Sequence, residues 1–138
     1  LWATEAVITT GLPVWVGISA EKREDGQLVG FGSPDWLLDD IVKLLAPLNP
    51  SVISVMHTSP NDTTEALEIV RRHWHGPLGT YPESGYFKMP DWQFIDIISP
   101  DDLVVRSKEW QNVGATIFGG CCGIGPEHIR HLSKAMRA

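Results

Sequence analysis

The sequence has no excess of basic residues and no long apolar run. Eleven Lys and Arg residues stand against 17 Asp and Glu residues, which gives a formal net charge of −6 at pH 7. This balance excludes the basic surface that binds nucleic acid or an anionic membrane. No segment approaches the roughly 20 apolar residues that cross a bilayer, and no secretory signal is recognisable. We therefore expect neither a nucleic-acid partner nor a membrane partner.

Cysteine is almost absent, since Cys121 and Cys122 are the two thiols of the chain. Without a separate partner cysteine they suit a reducing compartment, so we expect a cytoplasmic location. The 138 residues are 43% hydrophobic and 20% charged, which is typical of a single globular domain. The chain opens on Leu1 within a pattern typical of the end of a helix, so we expect a segment to precede it.

Apolar runs alternate with helical patterns along the chain, after a first helix over residues 1–10 that stops at Gly11. Each run is short enough for a buried strand. Ser33 and Pro34 are typical of a helix start, and residues 21–33 and 82–92 are expected to be loops. Four strand-then-helix units predict an α/β fold with a parallel sheet and right-handed crossovers. The expected strands are residues 12–19, 50–55, 77–81 and 115–118, and the helices are residues 34–45, 63–74, 100–113 and 126–138.

The two thiols follow the fourth predicted strand. Gly119 and Gly120 come first and allow the backbone to turn sharply and to approach a ligand closely. Pro126 then begins the last helix. The cysteines therefore lie at the carboxyl end of a strand, where α/β proteins build their sites.

Adjacent cysteines have three interpretations. A disulfide between them is disfavoured, because neighbouring Cα atoms are about 3.8 Å apart and an unstrained bridge needs at least about 4.4 Å. They can be two small core residues, since free cysteine is often buried. They can also be two thiolate ligands of a soft metal such as zinc. The flanking glycines favour the metal.

The segment GGCCGIGPEHI resembles the signature of the homocysteine S-methyltransferase family, whose members are zinc-dependent (β/α)8 barrels. Further matches occur in order along the chain, at GLPVWV, DGQLVGFGS, a strand ending in HTSP, and YPESG. The resemblance implies that residues 1–138 are the carboxyl-terminal half of such a barrel, with the amino-terminal half missing. A full barrel needs about 250 residues. Because an open half exposes sheet edges, we expect a homodimer or pairing with the missing half.

The resemblance also implies a site. Cys121 and Cys122 would bind zinc, and the family's third cysteine is replaced here by His57. A hydrogen-bonded, metal-free histidine is the alternative for His57. Glu83 stands where the family has asparagine, and with Gly119 and Gly120 it is expected to bind substrate.

Homocysteine would give methionine by taking a methyl group from a sulfonium or ammonium donor, without a protein nucleophile. Two alternatives stay open: a non-catalytic half-barrel fragment, and a diverged barrel enzyme that acts on another thiol. We expect His128, in the last helix, to be structural.

Overall fold

The structure is a computed structural model that describes residues 1–90 and 93–136. The last residues of the predicted loop 82–92 and of the predicted final helix lie outside these ranges. The strands are β1 (Trp15–Lys22), β2 (Leu28–Gly30), β3 (Ser33–Leu37), β4 (Val52–Met56), β5 (Leu78–Tyr81), β6 (Tyr86–Lys88), β7 (Gln93–Ile95) and β8 (Ile117–Phe118). The helices are α1 (Trp2–Ile8), α2 (Leu38–Leu45), α3 (Pro60–His73), α4 (Pro100–Asn112) and α5 (Pro126–Ala135), with a short 3₁₀ turn at Ala46–Leu48.

Four parallel strands form the centre of the molecule, in the order β1, β4, β5, β8. A helix follows each of them before the next parallel strand begins, so the predicted (β/α) units are confirmed. All four strands end at the same edge of the sheet. The fold is an α/β half-barrel with a shared carboxyl edge on which a site can form.

The core lies between the sheet and its helices. Val42 of α2, Leu67 and Val70 of α3, and Leu103 of α4 are fully buried against the strands. Helix α4 begins at Pro100 as predicted, whereas α3 begins at Pro60, three residues before its predicted start. In both helices a serine, Ser59 or Ser99, accepts a hydrogen bond from a backbone N–H of the first turn. Proline occupies the first helical position in both helices.

The segment after β1 differs from the prediction. Residues 21–33 are not simply a loop, because β1 continues to Lys22 and β2 and β3 add an antiparallel extension to the sheet. The helix predicted to start at Ser33 begins instead at Leu38. Pro34 is compatible with β3 because this strand is at the edge of the sheet and one side of its backbone needs no donor.

A second hairpin begins in the segment predicted as a loop, which contains β6, and ends with β7 just beyond that segment. Strands β6 and β7 pair antiparallel and form a separate two-stranded sheet. Their side chains are exposed or only half-buried, so the segment lacks the buried alternation that identifies a strand in the sequence.

The margins of the half-barrel are open. Residues 15–19 of β1 pair with β4, and residues 20–22 pair with β2. Among the described residues, the first part of β1 therefore has a neighbouring strand on one side and an unpaired edge on the other. Among the residues that the structure describes, strand β8 pairs with β5 alone. Helix α1 buries none of its residues, and Trp2 and Trp15 are 88% and 63% exposed. In the part of the chain that the structure describes, no helix has the length and apolar character to cross a membrane.

Candidate metal centre

The site is built from the three loops that follow β4, β5 and β8. His57 comes directly after β4 and its N–H donates to the carbonyl of Tyr81, at the end of β5, at 3.2 Å. Its φ is +45°, in the left-handed region that non-glycine residues seldom adopt. This conformation costs about 1–2 kcal/mol.

Backbone hydrogen bonds hold the two cysteines against the loop after β5. Cys121 N–H donates to Pro82 O at 2.9 Å, and Ser84 N–H donates to Cys122 O at 2.9 Å. Glu83 N–H in turn donates to Thr58 O at 3.2 Å, next to His57. The three loops therefore form one hydrogen-bonded unit.

This unit brings three candidate ligands together at one point. Nδ1 of His57 lies 3.7 Å from Cys121 Sγ and 3.8 Å from Cys122 Sγ, and the two sulfurs are 3.8 Å apart. All three side chains are half-buried, so the point is accessible from solvent. The convergence predicted for residues 57, 121 and 122 is found.

The triangle fits a tetrahedral zinc site. With Zn–S and Zn–N bonds of about 2.3 and 2.0 Å, the ligand spacing is about 3.8 Å between sulfurs and about 3.5 Å between sulfur and nitrogen. The distances in this chain are close to both values. Two soft thiolates and one imidazole are also ligand types that zinc favours.

Glu83 contacts the same imidazole nitrogen. Its Oε2 lies 2.9 Å from His57 Nδ1, and the two side chains are 28% and 29% exposed. This is an ion-pair distance and not an aligned hydrogen bond, since the hydrogen-bond partners of Nδ1 are the sulfurs of Cys121 and Cys122. Glu83 is expected to bind substrate. In the structure its carboxylate also contacts His57, a candidate metal ligand.

Burial raises the pKa of the Cys122 thiol, and the hydrogen bond and charge of Cys121 and the charge of Glu83 raise it further. Burial, followed by the charge of Cys121, likewise raises the pKa of Tyr81. Cys122 is therefore a neutral thiol at pH 7 in the absence of a cation. Metal binding at this position would release a proton and would strengthen as the pH rises.

The two glycines before the cysteines have different backbone roles. Gly119 N–H already donates to Thr80 O at 2.9 Å, which leaves it no donor for a ligand. Gly120 N–H has no partner among the described residues. A Cβ at Gly120 would overlap the side chain of Ile124, so only glycine allows this close approach.

The pocket wall includes residues that sequence reasoning missed. Phe31 follows β2, and its ring meets the His57 ring edge-on, with centroids 4.9 Å apart. Tyr81 ends β5, and its hydroxyl donates to the sulfur of Met56 at 3.4 Å. Met56 therefore lies beside Tyr81 in the wall of the site. The sequence could have identified Tyr81 as a site residue, because it is the last residue of a parallel strand. No sequence pattern indicated Phe31, because β2 was not predicted.

His128 is structural, as expected. Its Nδ1 accepts a hydrogen bond from Gly125 N–H at 3.2 Å, and Nε2 donates to Ile98 O at 2.8 Å. These contacts cap α5 and join it to the segment before α4.

The fold and the site together define an α/β half-barrel with two cysteines and a histidine gathered at its carboxyl edge. The metallated form of the homocysteine methyltransferase MmuM from Escherichia coli has the same fold, with a TM-score of 0.66 at 24% identity. The alignment covers 98% of this chain and 41% of that one.

The sequence profile of the family described as homocysteine S-methyltransferase matches residues 1–136, and the chain belongs to this family. Homocysteine S-methyltransferase 1 of Zea mays is 26% identical over 130 residues, which cover 91% of this chain and 38% of the relative. Homocysteine S-methyltransferase 3 of Arabidopsis thaliana is 30% identical over 91 residues, covering 64% and 26%. The chain spans well under half the length of these relatives.

Proposed function

We propose that this chain is the carboxyl-terminal half of a barrel that transfers a methyl group to the thiol of homocysteine and forms methionine in a zinc-dependent reaction. The observation that carries the proposal is the triangle of His57 Nδ1, Cys121 Sγ and Cys122 Sγ, with spacings of 3.7–3.8 Å. Zinc bound there would supply the positive charge that keeps the homocysteine sulfur ionised at neutral pH. Reduced thiols also favour a cytoplasmic location.

The residues of the chain would act by positioning. Oε2 of Glu83 faces His57, which leaves Oε1 to accept a hydrogen bond from the amino group of homocysteine. Gly120 N–H is free to donate to a substrate oxygen, and Gly119 shapes the wall beside it. The sulfur then forms a bond to the methyl carbon of a sulfonium or ammonium donor. The donor leaves as a neutral thioether or tertiary amine, so no protein nucleophile is required.

Two measurements test this proposal. Stoichiometric zinc should remain after dialysis in a reducing buffer, and labelled methyl should move to homocysteine from a methylsulfonium amino acid or from betaine. The transfer should be assayed with the chain alone and with the amino-terminal half of a relative's barrel added. Zinc binding without transfer to homocysteine in either assay would favour a diverged enzyme for another thiol, as the histidine and glutamate substitutions suggest. Absence of zinc would favour a non-catalytic fragment.

We further propose that the open margins pair with a second copy of this chain or with the other half of the barrel. Trp15 and the outer edge of β8 carry the exposed apolar surface and the unpaired backbone groups that support this. Size-exclusion chromatography with light scattering should give a mass of twice 15.3 kDa or more for the isolated chain at micromolar concentration. A well-behaved monomer over that range would contradict the pairing.

A further inference from the structure

Two departures from the family's sequence pattern touch each other in the structure. The resemblance to the family implies a cysteine at the position of His57 and an asparagine at that of Glu83, and the two residues lie in loops that follow different strands. Their side chains meet at 2.9 Å, between His57 Nδ1 and Glu83 Oε2. The first change removes a negative charge from the ligand set, and the second adds one beside it. The two changes together leave the total charge around the site the same as in the family pattern.

We propose that Glu83 is a charge-compensating positioning residue of the metal centre, which orients His57 and supplies the negative charge that the missing third thiolate would carry. This inference rests on the zinc binding in the proposed function. It goes beyond a substrate contact, because it assigns Glu83 a role toward the ligand atom itself.

The geometry supports this role through one atom. Nδ1 of His57 has a single in-plane position for a proton or a metal, and the two sulfurs and the carboxylate oxygen all lie within 3.8 Å of that nitrogen. A cation bound to Nδ1 between the two sulfurs therefore has the carboxylate as a neighbour. A three-thiolate site places three negative charges around a divalent cation, whereas two thiolates and a neutral imidazole place two. The carboxylate of Glu83 supplies the third negative charge.

The backbone keeps Glu83 in this place. Its own N–H donates to Thr58 O, and the next residue, Ser84, donates to Cys122 O. The peptide that carries the carboxylate is thus tied to the loops of both ligand types. In the described part of the chain, Glu83 pairs with His57 and no lysine or arginine forms an ion pair with it.

A double-mutant cycle tests the compensation. Wild type, Glu83→Gln, His57→Cys and the double variant are compared by zinc competition against a chromophoric chelator in reducing buffer. Glu83→Gln should weaken zinc binding by about 10- to 100-fold in the wild-type background, as expected for a residue that contacts a ligand. In the His57→Cys background the same change should alter the affinity by less than about threefold, because the third thiolate already supplies the charge.

Controls separate this role from other effects. Glu83→Asp keeps the charge and should retain affinity closer to wild type than Glu83→Gln does. Glu65→Gln removes a surface carboxylate that pairs with Lys22 and should leave the affinity unchanged. The Co²⁺-loaded proteins give a second readout, since absorption from the thiolates should shift with Glu83→Gln only when His57 is present. Thermal unfolding without metal checks that each variant folds.

Equal losses from Glu83→Gln in both backgrounds, or no loss in the wild-type background, would overturn the inference. A wild-type chain that holds no zinc would overturn both the inference and the zinc-dependent reaction. Background-dependent losses in a protein that does not methylate homocysteine would support the inference and remove the proposed reaction. Failure of one proposal is therefore distinguishable from failure of the other.

Discussion

Replacing Cys121 or Cys122 with serine is expected to abolish stable zinc binding. Each sulfur is one corner of the three-atom triangle, at 3.7–3.8 Å from the other two corners. A serine hydroxyl stays protonated at neutral pH and is not among the usual zinc ligands. The affinity should fall by more than the roughly 100-fold limit typical of residues that only contact a ligand. Zinc content after dialysis in reducing buffer measures this loss directly.

The same substitutions should remove stabilisation by zinc. A ligand at 100 times its dissociation constant stabilises the folded state by about 2.7 kcal/mol, and this gain should vanish in both serine variants. Thermal unfolding with and without zinc gives the comparison. Metal-free wild type and variants should unfold at similar temperatures, because both side chains are only half-buried.

A pair of histidine variants controls for a general loss of cation binding. His57→Ala removes the third candidate ligand and should also release zinc. His131→Ala removes a histidine that pairs with Asp101 at the surface, at 3.0 Å, and should leave zinc binding intact. Normal zinc content in either serine variant would show that the ligand set is wrong.

The parallel strands could be predicted because the signals that identify them, an apolar run and the loop-forming residues around it, lie within a few residues of each other in the sequence. Residues 50–55 and 77–81 are apolar runs between loop-forming residues, and both correspond to parallel strands in the structure. The carboxyl edge then followed from the strand-then-helix order. For this reason the sequence placed residues 57, 121 and 122 at one edge of one sheet.

The short antiparallel elements could not be predicted, because they depend on tertiary contacts. Strand β2 has three residues, and β3 carries Pro34, which favours a helix start when the sequence is read alone. Ser33 pairs with Gly30 across the turn and therefore does not act as a helix cap. The position of Phe31 against His57 results from this unpredicted extension.

The contact between His57 and Glu83 also depends on geometry that no local pattern encodes. It requires the left-handed backbone at His57 and the hydrogen bonds that join the loops after β4, β5 and β8. The sequence marked both residues as departures from a family pattern. Only the structure brings these two departures together at one nitrogen atom.

Substituting Gly123 with alanine is expected to destabilise the metal-free protein by about 3 kcal/mol or more. Its φ of +76° is strained for any residue with a side chain, which costs about 1–2 kcal/mol. An added Cβ would also overlap the carbonyl oxygen of Ser84 and lie 3.0 Å from its carbonyl carbon. Relief of this overlap requires the loop after β5 to move. Such movement would break the hydrogen bond from Ser84 N–H to Cys122 O, worth about 1 kcal/mol.

Gly125→Ala is the matched control for this effect, two residues further along the same loop. Its φ is −100°, and an added Cβ would have no neighbour within 4 Å. The control should cost no more than about 1 kcal/mol, the usual range for a helix N-cap change. Urea denaturation in the presence of a chelator gives both free energies of unfolding. Equal, small losses in the two variants would mean that the loop after β5 can withdraw from Cys122 at little cost, and that the site is not held by its backbone.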